Sequence, residues 1–198
     1  MSQRPVDIAF TRAVRAAQQR KGSRQIYASM EMGREIDPRL GAFIAQVRSF
    51  YLATSSSNGQ PYIQHRGGPP GFLHVIGPTT LAFADFKGNR QFITTGNLSE
   101  NPKAFIFLMD YAGRQRVKIW GAATVVENDV ALAARLMPGN YRAALEQVIL
   151  FEVEAWDSNC PQHIPQLVFA EDVTKVLAAR DDRIARLEAE LAALRSGK

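Results

Sequence analysis

The residues with the most evident chemistry in this chain of 198 residues are basic ones set beside turn-forming glycines. Lys87-Gly88-Asn89-Arg90 groups an ammonium, an amide and a guanidinium around a glycine that lets the backbone come close to a ligand. Arginine offers a planar fork to two oxygens and lysine a point charge, so the set suits a phosphate dianion. A solvated hairpin turn is the other reading of these four residues. Arg66 follows Gln64-His65 and leads into Gly67-Gly68-Pro69-Pro70-Gly71, a loop more constrained than a plain spacer. It reads either as ligand-facing or as a wide strand connection with Arg66 on the surface. Strand alternation aims His65 away from the face that Arg66 uses. His65, His74, His163 and Cys160 show no ligand spacing, so no metal is expected. No catalytic acid, base or nucleophile stands out, and Cys160 reads as a buried, inert thiol without activating machinery.

Strands must position these groups. FYLAT, PYIQHR, FLHVI, TLAFAD and QFITT are short β-rich runs separated by turn residues, and Asn58-Gly59 is a strong hairpin signal because both tolerate positive φ. RQRVKIWGAATVVE predicts a long strand interrupted at Gly121, with Gln115 and Arg116 on opposite faces and Trp120 in the barrel core. Ser99 to Pro102 is expected to cap a helical turn ahead of a strand over KAFIFLMD, and VILFEVEAW predicts a later strand. Antiparallel strands in such close succession point to a barrel or sandwich.

Helices flank the strands. One is predicted from Pro5 to about Arg20, one from Asp37-Pro38 with Leu40, Phe43, Ile44 and Val47 on its apolar face, and one from Asp129 to Tyr141 with a break at Pro138-Gly139. From Val173 onward, Leu177, Ile184, Leu187, Leu191 and Leu194 recur on a three-four spacing that Arg180 interrupts. That seam needs a partner, and its own barrel, a second subunit and a coiled coil all explain it. The expected organisation is an N-terminal helical extension (1–34), a β-rich domain (35–170) and a C-terminal helix (171–198).

The net charge of +5 comes largely from the first two dozen residues, which read as a solvated basic helix, so nucleic acid is an unlikely partner. No apolar run approaches the roughly 20 residues of a membrane span, so no membrane partner is expected. One cysteine and no secretory pattern make the cytoplasm the expected location.

The block from about Phe50 to Glu127 resembles the FMN-binding split barrel of the pyridoxamine 5′-phosphate oxidase-like superfamily. The resemblance rests on FYLATSSSNGQPYIQHRGG, LAFADFKGNRQF, NLSENPKAFIFLMD and GRQRVKIWGAATVVE, in that order and spacing. It implies a mainly β fold with flanking helices (α+β), an antiparallel split β-barrel, forming a homodimer with flavin sites at its interface. It also implies a cofactor-binding set of Gln64, His65, Arg66, Gly67, Asp85, Lys87, Gly88, Asn89, Arg90 and Gln115, with Arg66 and the Lys87–Arg90 turn on the phosphate and Gln115 at the flavin ring. Trp156, Asn159, Cys160, Gln162 and His163 follow the last strand, where relatives reach the partner's flavin; a tight turn is the other reading. The ending RDDRIARLEAELAALRSGK departs from the arginine- and histidine-bearing segment of true pyridoxamine-phosphate oxidases. The expected activity is therefore an FMN-dependent flavin reductase or oxidase of unassigned substrate with a nicotinamide as electron donor. A non-catalytic flavin-binding or storage module is the alternative, and a deazaflavin or haem in place of FMN is left open.

Overall fold

A computed structural model of the chain describes residues 4–139, 141–159 and 162–197. Two compact units divide it: Met1–Asp110 with Gln115–Pro161, and Tyr111–Arg114 with Gln162–Lys198. In the larger unit the elements run α1 (Pro5–Ala9), α2 (Arg12–Arg20), α3 (Pro38–Ile44), β1 (Ser49–Ser55), β2 (Pro61–Gly67), β3 (Leu73–Val75), β4 (Thr80–Phe86), α4 (Ile93–Glu100), β5 (Lys103–Asp110), β6 (Gln115–Val126), α5 (Val130–Leu136) and β7 (Leu145–Asn159). In the smaller unit α6 spans Ala170–Arg195, and the segment before it is tied down by Leu167 N–H to the Tyr111 carbonyl and by the Gln166 amide to the Ala112 carbonyl.

The seven strands form one antiparallel sheet in the order β2-β1-β5-β6-β7-β4-β3. Strands β1 and β4 are four places apart, about 19 Å in a flat sheet. Yet the Phe50 ring on β1 meets Phe83 on β4 edge-on at 5.1 Å and stacks on Phe72 at 5.5 Å. The sheet is therefore curled until its inner face closes on itself. Period-two alternation fills that interior with Phe50 and Leu52, Leu81 and Phe83, Ile106 and Leu108, Val117 and Ile119, and Ile149, Phe151 and Val153, and α3 caps it with Leu40 and Ile44. The register of β6 on β7 shifts at Trp120/Gly121, and a Cβ at Gly121 would collide with the Glu152 carbonyl oxygen and the Phe151 ring. Glycine is required there by close backbone approach.

Several local expectations are corrected. QFITT is not a strand: Phe92, at φ 53°, turns the chain into α4, and residues 99–102 end that helix rather than begin one. The helix from Pro5 is two helices, because Thr11 is extended and its hydroxyl accepts from the Val14 N–H, capping a new start. Trp120 is not in the barrel core. It lies on the outer face, edge-on to Phe105 and packed against the cluster around Val6, Met32 and Ala155. The expectations for Cys160 and for the side chain of Asn159 lie outside the described residues.

Candidate functional site

The curl of the sheet leaves a seam between β2 and the β4–β3 edge, and the most polar buried groups of the molecule bridge it. The partners of β1 in the ladder set the facing: Gln64 and Arg66 lie opposite the inward Leu52 and Phe50 and share their face. On β4, Asp85 continues the inward row of Leu81 and Phe83, and Gln147 on β7 sits opposite it. Arg66 Nη1 thus stands 3.0 Å from Asp85 Oδ1 across the seam, with both side chains nearly buried. Gln147 donates one amide N–H set to Asp85 Oδ2 at 3.0 Å and to Thr95 Oγ1 at 2.9 Å, while Thr94 donates to Gln64 Oε1 at 2.9 Å. Burial pushes the Asp85 carboxyl above the ordinary carboxylate range, with Arg66 and Gln147 pulling it partly back. Burial also lowers the Arg66 guanidinium, which Asp85 partly offsets.

Three features give this cleft room for an anion. Arg66 Nε is buried with no hydrogen-bond partner among the described residues, so the guanidinium has a donor to spare. The loop between β4 and α4 rims the cleft, and a Cβ on Gly88 would meet nothing within 4 Å. Helix α4 opens onto the same cleft through Thr94 and Thr95, and its N-cap Phe92 supplies no side-chain acceptor. The first N–H groups of a helix have no intrahelical partner and carry partial positive charge. The two left-handed residues of this loop are Arg90 (φ 59°) and Phe92, not Gly88. Arg90 stacks its guanidinium 5.4 Å from the Phe92 ring centre and stands 3.8 Å from Glu146. Asn89 Oδ1 accepts from the Gln91 N–H and fixes the loop between them.

Of the sequence-predicted residues, the cleft brings together Gln64, Arg66, Asp85, Gly88, Asn89 and Arg90. Lys87 is exposed at the rim, its N–H bonded to the Ala144 carbonyl, and does not line it. His65 faces outward, edge-on to Tyr51 at 5.8 Å. Gly67 ends β2, beside the His65 ring, and Gln115 is exposed at the start of β6; both lie outside the cleft. Trp156 is engaged within the chain, donating to the Glu35 carbonyl at 2.8 Å with Gly33 against its ring.

Thr94, Thr95, Glu146 and Gln147 complete the cleft and were not anticipated. A signal existed for one of them. Gln147 leads the row Gln147, Ile149, Phe151 and Val153, a lone amide on an otherwise apolar face.

A curled antiparallel sheet split along one seam, with helices flanking it, defines the split-barrel class. The pyridoxamine 5′-phosphate oxidase family model matches residues 36–160, and the chain belongs to that family. Solved structures agree on the fold. The HupZ protein of Group A Streptococcus is similar at a TM-score of 0.51 and 17% identity, over 67% of this chain and 99% of that one. A pyridoxamine 5′-phosphate oxidase-type protein of Lactobacillus delbrueckii gives a TM-score of 0.50 and 17% identity, over 65% and 99%. Comparison with curated proteins finds none that matches this sequence. Among the described residues, no helix is long and apolar enough to cross a membrane.

Proposed function

We propose that the chain is an FMN-dependent oxidoreductase that holds the flavin phosphate in the seam cleft. The observation that carries this reading is the convergence of Arg66, with its unpartnered buried Nε, on the open end of α4 and the Gly88–Arg90 loop. Those donors fit a phosphate, since charge-assisted bonds from a guanidinium and N–H groups at a helix start are what a dianion needs. Asp85 and Glu146 bring adverse charge to the wall, but each stands beside a guanidinium, that of Arg66 and that of Arg90. Asp85 with Gln147 then serves to hold Arg66 in place. Flavin, when bound, supplies hydride chemistry at its N5, and the protein contributes position and electrostatics.

The outer face of β2, β1 and β5 supports a homodimer. It presents Ile63, Tyr51, Phe105 and Phe107 on one surface, with Ile63 59% exposed and Tyr51 37%. A contiguous apolar surface of this kind marks a protein interface, and we place the flavin sites at that interface of a cytoplasmic dimer. His65 and Gln115, outside the cleft, belong to that part of the proposal. Residues 1–34 and 171–198 are extensions of the flavin domain.

Purified protein tests the reading directly. A yellow protein whose 450 nm-region absorption bleaches with NADH or NADPH is expected. Bound flavin that neither nicotinamide reduces would leave a flavin-binding module instead, and protein that takes up no FMN would overturn the cofactor assignment.

A further inference from the structure

We infer that α6 pairs with the α6 of a second copy of this chain as a parallel, in-register, two-stranded coiled coil. The helix is unbroken for 26 residues, about 39 Å at 1.5 Å per residue. Every residue from Ala170 to Arg195 is exposed, including the whole apolar seam: Val173 41%, Leu177 49%, Ile184 48%, Leu187 44%, Leu191 48% and Leu194 78%. Adding Val173 and Arg180 gives successive steps of four, three, four, three, four and three, a complete heptad track with Leu177, Ile184 and Leu191 at a and Val173, Arg180, Leu187 and Leu194 at d. A solvated helix of this length has no stake in such a track, because helical stability comes mostly from packing an apolar face.

Charge selects the occupant and its direction. The same frame puts Val176, Arg183 and Glu190 at g, and Thr174, Asp181, Glu188 and Arg195 at e. In a parallel pair each g residue faces the e residue five positions on in the other chain. Arg183 then meets Glu188 of the second copy, and Glu190 meets its Arg195. Both charged pairs are opposite in sign, and each occurs twice across the two-fold axis. Arg180 opposes its own copy in a d layer, with Asp181 of the other chain beside it. That layer weakens the pair while fixing its register, as a polar core residue does.

Interchain disulfide formation in the full chain reads the pairing even if the barrels also associate. With the native thiol removed by Cys160→Ser, Leu191→Cys puts one thiol at an a position of each copy, and Ala189→Cys puts it on the outward f position. Mild oxidation is expected to link Leu191→Cys at least roughly tenfold faster than Ala189→Cys, because facing a-position Cβ atoms fall in disulfide range. Adding Arg183→Glu should bring the rate down to that of the control, and adding Arg183→Glu with Glu188→Arg should restore it. A lone helix predicts otherwise: Arg183 has Arg180 and Arg186 as its i−3 and i+3 neighbours, so Arg183→Glu would relieve repulsion. Equal rates for the two cysteine positions, as antiparallel pairing or docking elsewhere would give, overturn the inference. So does failure of the charge swap to rescue.

Discussion

Replacing Arg66 by alanine should destabilise the protein in a pH-dependent way. The substitution removes the guanidinium that stands beside Asp85 and leaves a carboxyl whose side chain is 7% exposed. Breaking a buried pair by deleting one partner costs about 3–5 kcal/mol, because the remaining charge stays desolvated. The lower end, about 3 kcal/mol, is appropriate here because Gln147 still donates to Oδ2. At a urea slope of about 2 kcal/mol/M this is a fall of about 1.5 M in midpoint. The pH dependence follows from Asp85 already sitting above the usual carboxylate value of 3.8 with Arg66 present. Without Arg66 it rises further. A carboxyl with a raised folded pKa binds its proton more tightly folded than unfolded. Its contribution is therefore fully present below 3.8 and is lost as pH climbs through the higher folded pKa. Urea melts of Arg66→Ala should show a larger deficit against the parent at pH 8 than at pH 4.5, and adding Asp85→Asn should recover most of the pH 8 loss. An equally stable Arg66→Ala protein at pH 8, or a deficit that neither pH nor Asp85→Asn changes, would refute the account of the seam.

Two further substitutions separate fold from site. Gly121→Ala forces a Cβ into the Glu152 carbonyl and the Phe151 ring at the β6 register shift, and should cost about 3 kcal/mol, or about 6–12 °C in Tm by calorimetry. Gly88→Ala meets only open space, so its Tm should stay within that of a surface change, about 0.5 kcal/mol, while FMN titration by flavin fluorescence shows weakened binding. Unchanged FMN affinity in Gly88→Ala would remove the loop backbone from the phosphate site.

Much of the barrel was legible because alternation is a local property. The strands over residues 49–55, 61–67, 80–86 and 115–126 and the Asn58-Gly59 hairpin follow from period two and turn chemistry. Helix α4 was not, since Phe92-Ile93-Thr94-Thr95 favours strand on local propensity alone. Tertiary bonds decide instead: the Asn97 amide donates to the buried Thr54 hydroxyl at 3.0 Å and Asn101 to Ser55 at 2.9 Å. The basic residues of the cleft could be picked out by type as candidates for an anion site. Their grouping with Thr94, Thr95, Glu146 and Gln147 could not, because it depends on how far the sheet curls and therefore on which residues meet across a seam with no ladder bonds. The heptad track of α6 was readable from spacing, and its solvent exposure was not.

The most direct test compares FMN with riboflavin, which lacks the phosphate, by calorimetric titration of the parent and of Arg66→Ala/Arg90→Ala, with Asp85→Asn added to spare the fold. Two charge-assisted bonds at about 1.5 kcal/mol each correspond to roughly a hundredfold preference of the parent for FMN. The variant should bind the two flavins within a few-fold of one another. A parent that binds both equally, or a variant that keeps the full preference, would show that these cations do not hold a flavin phosphate.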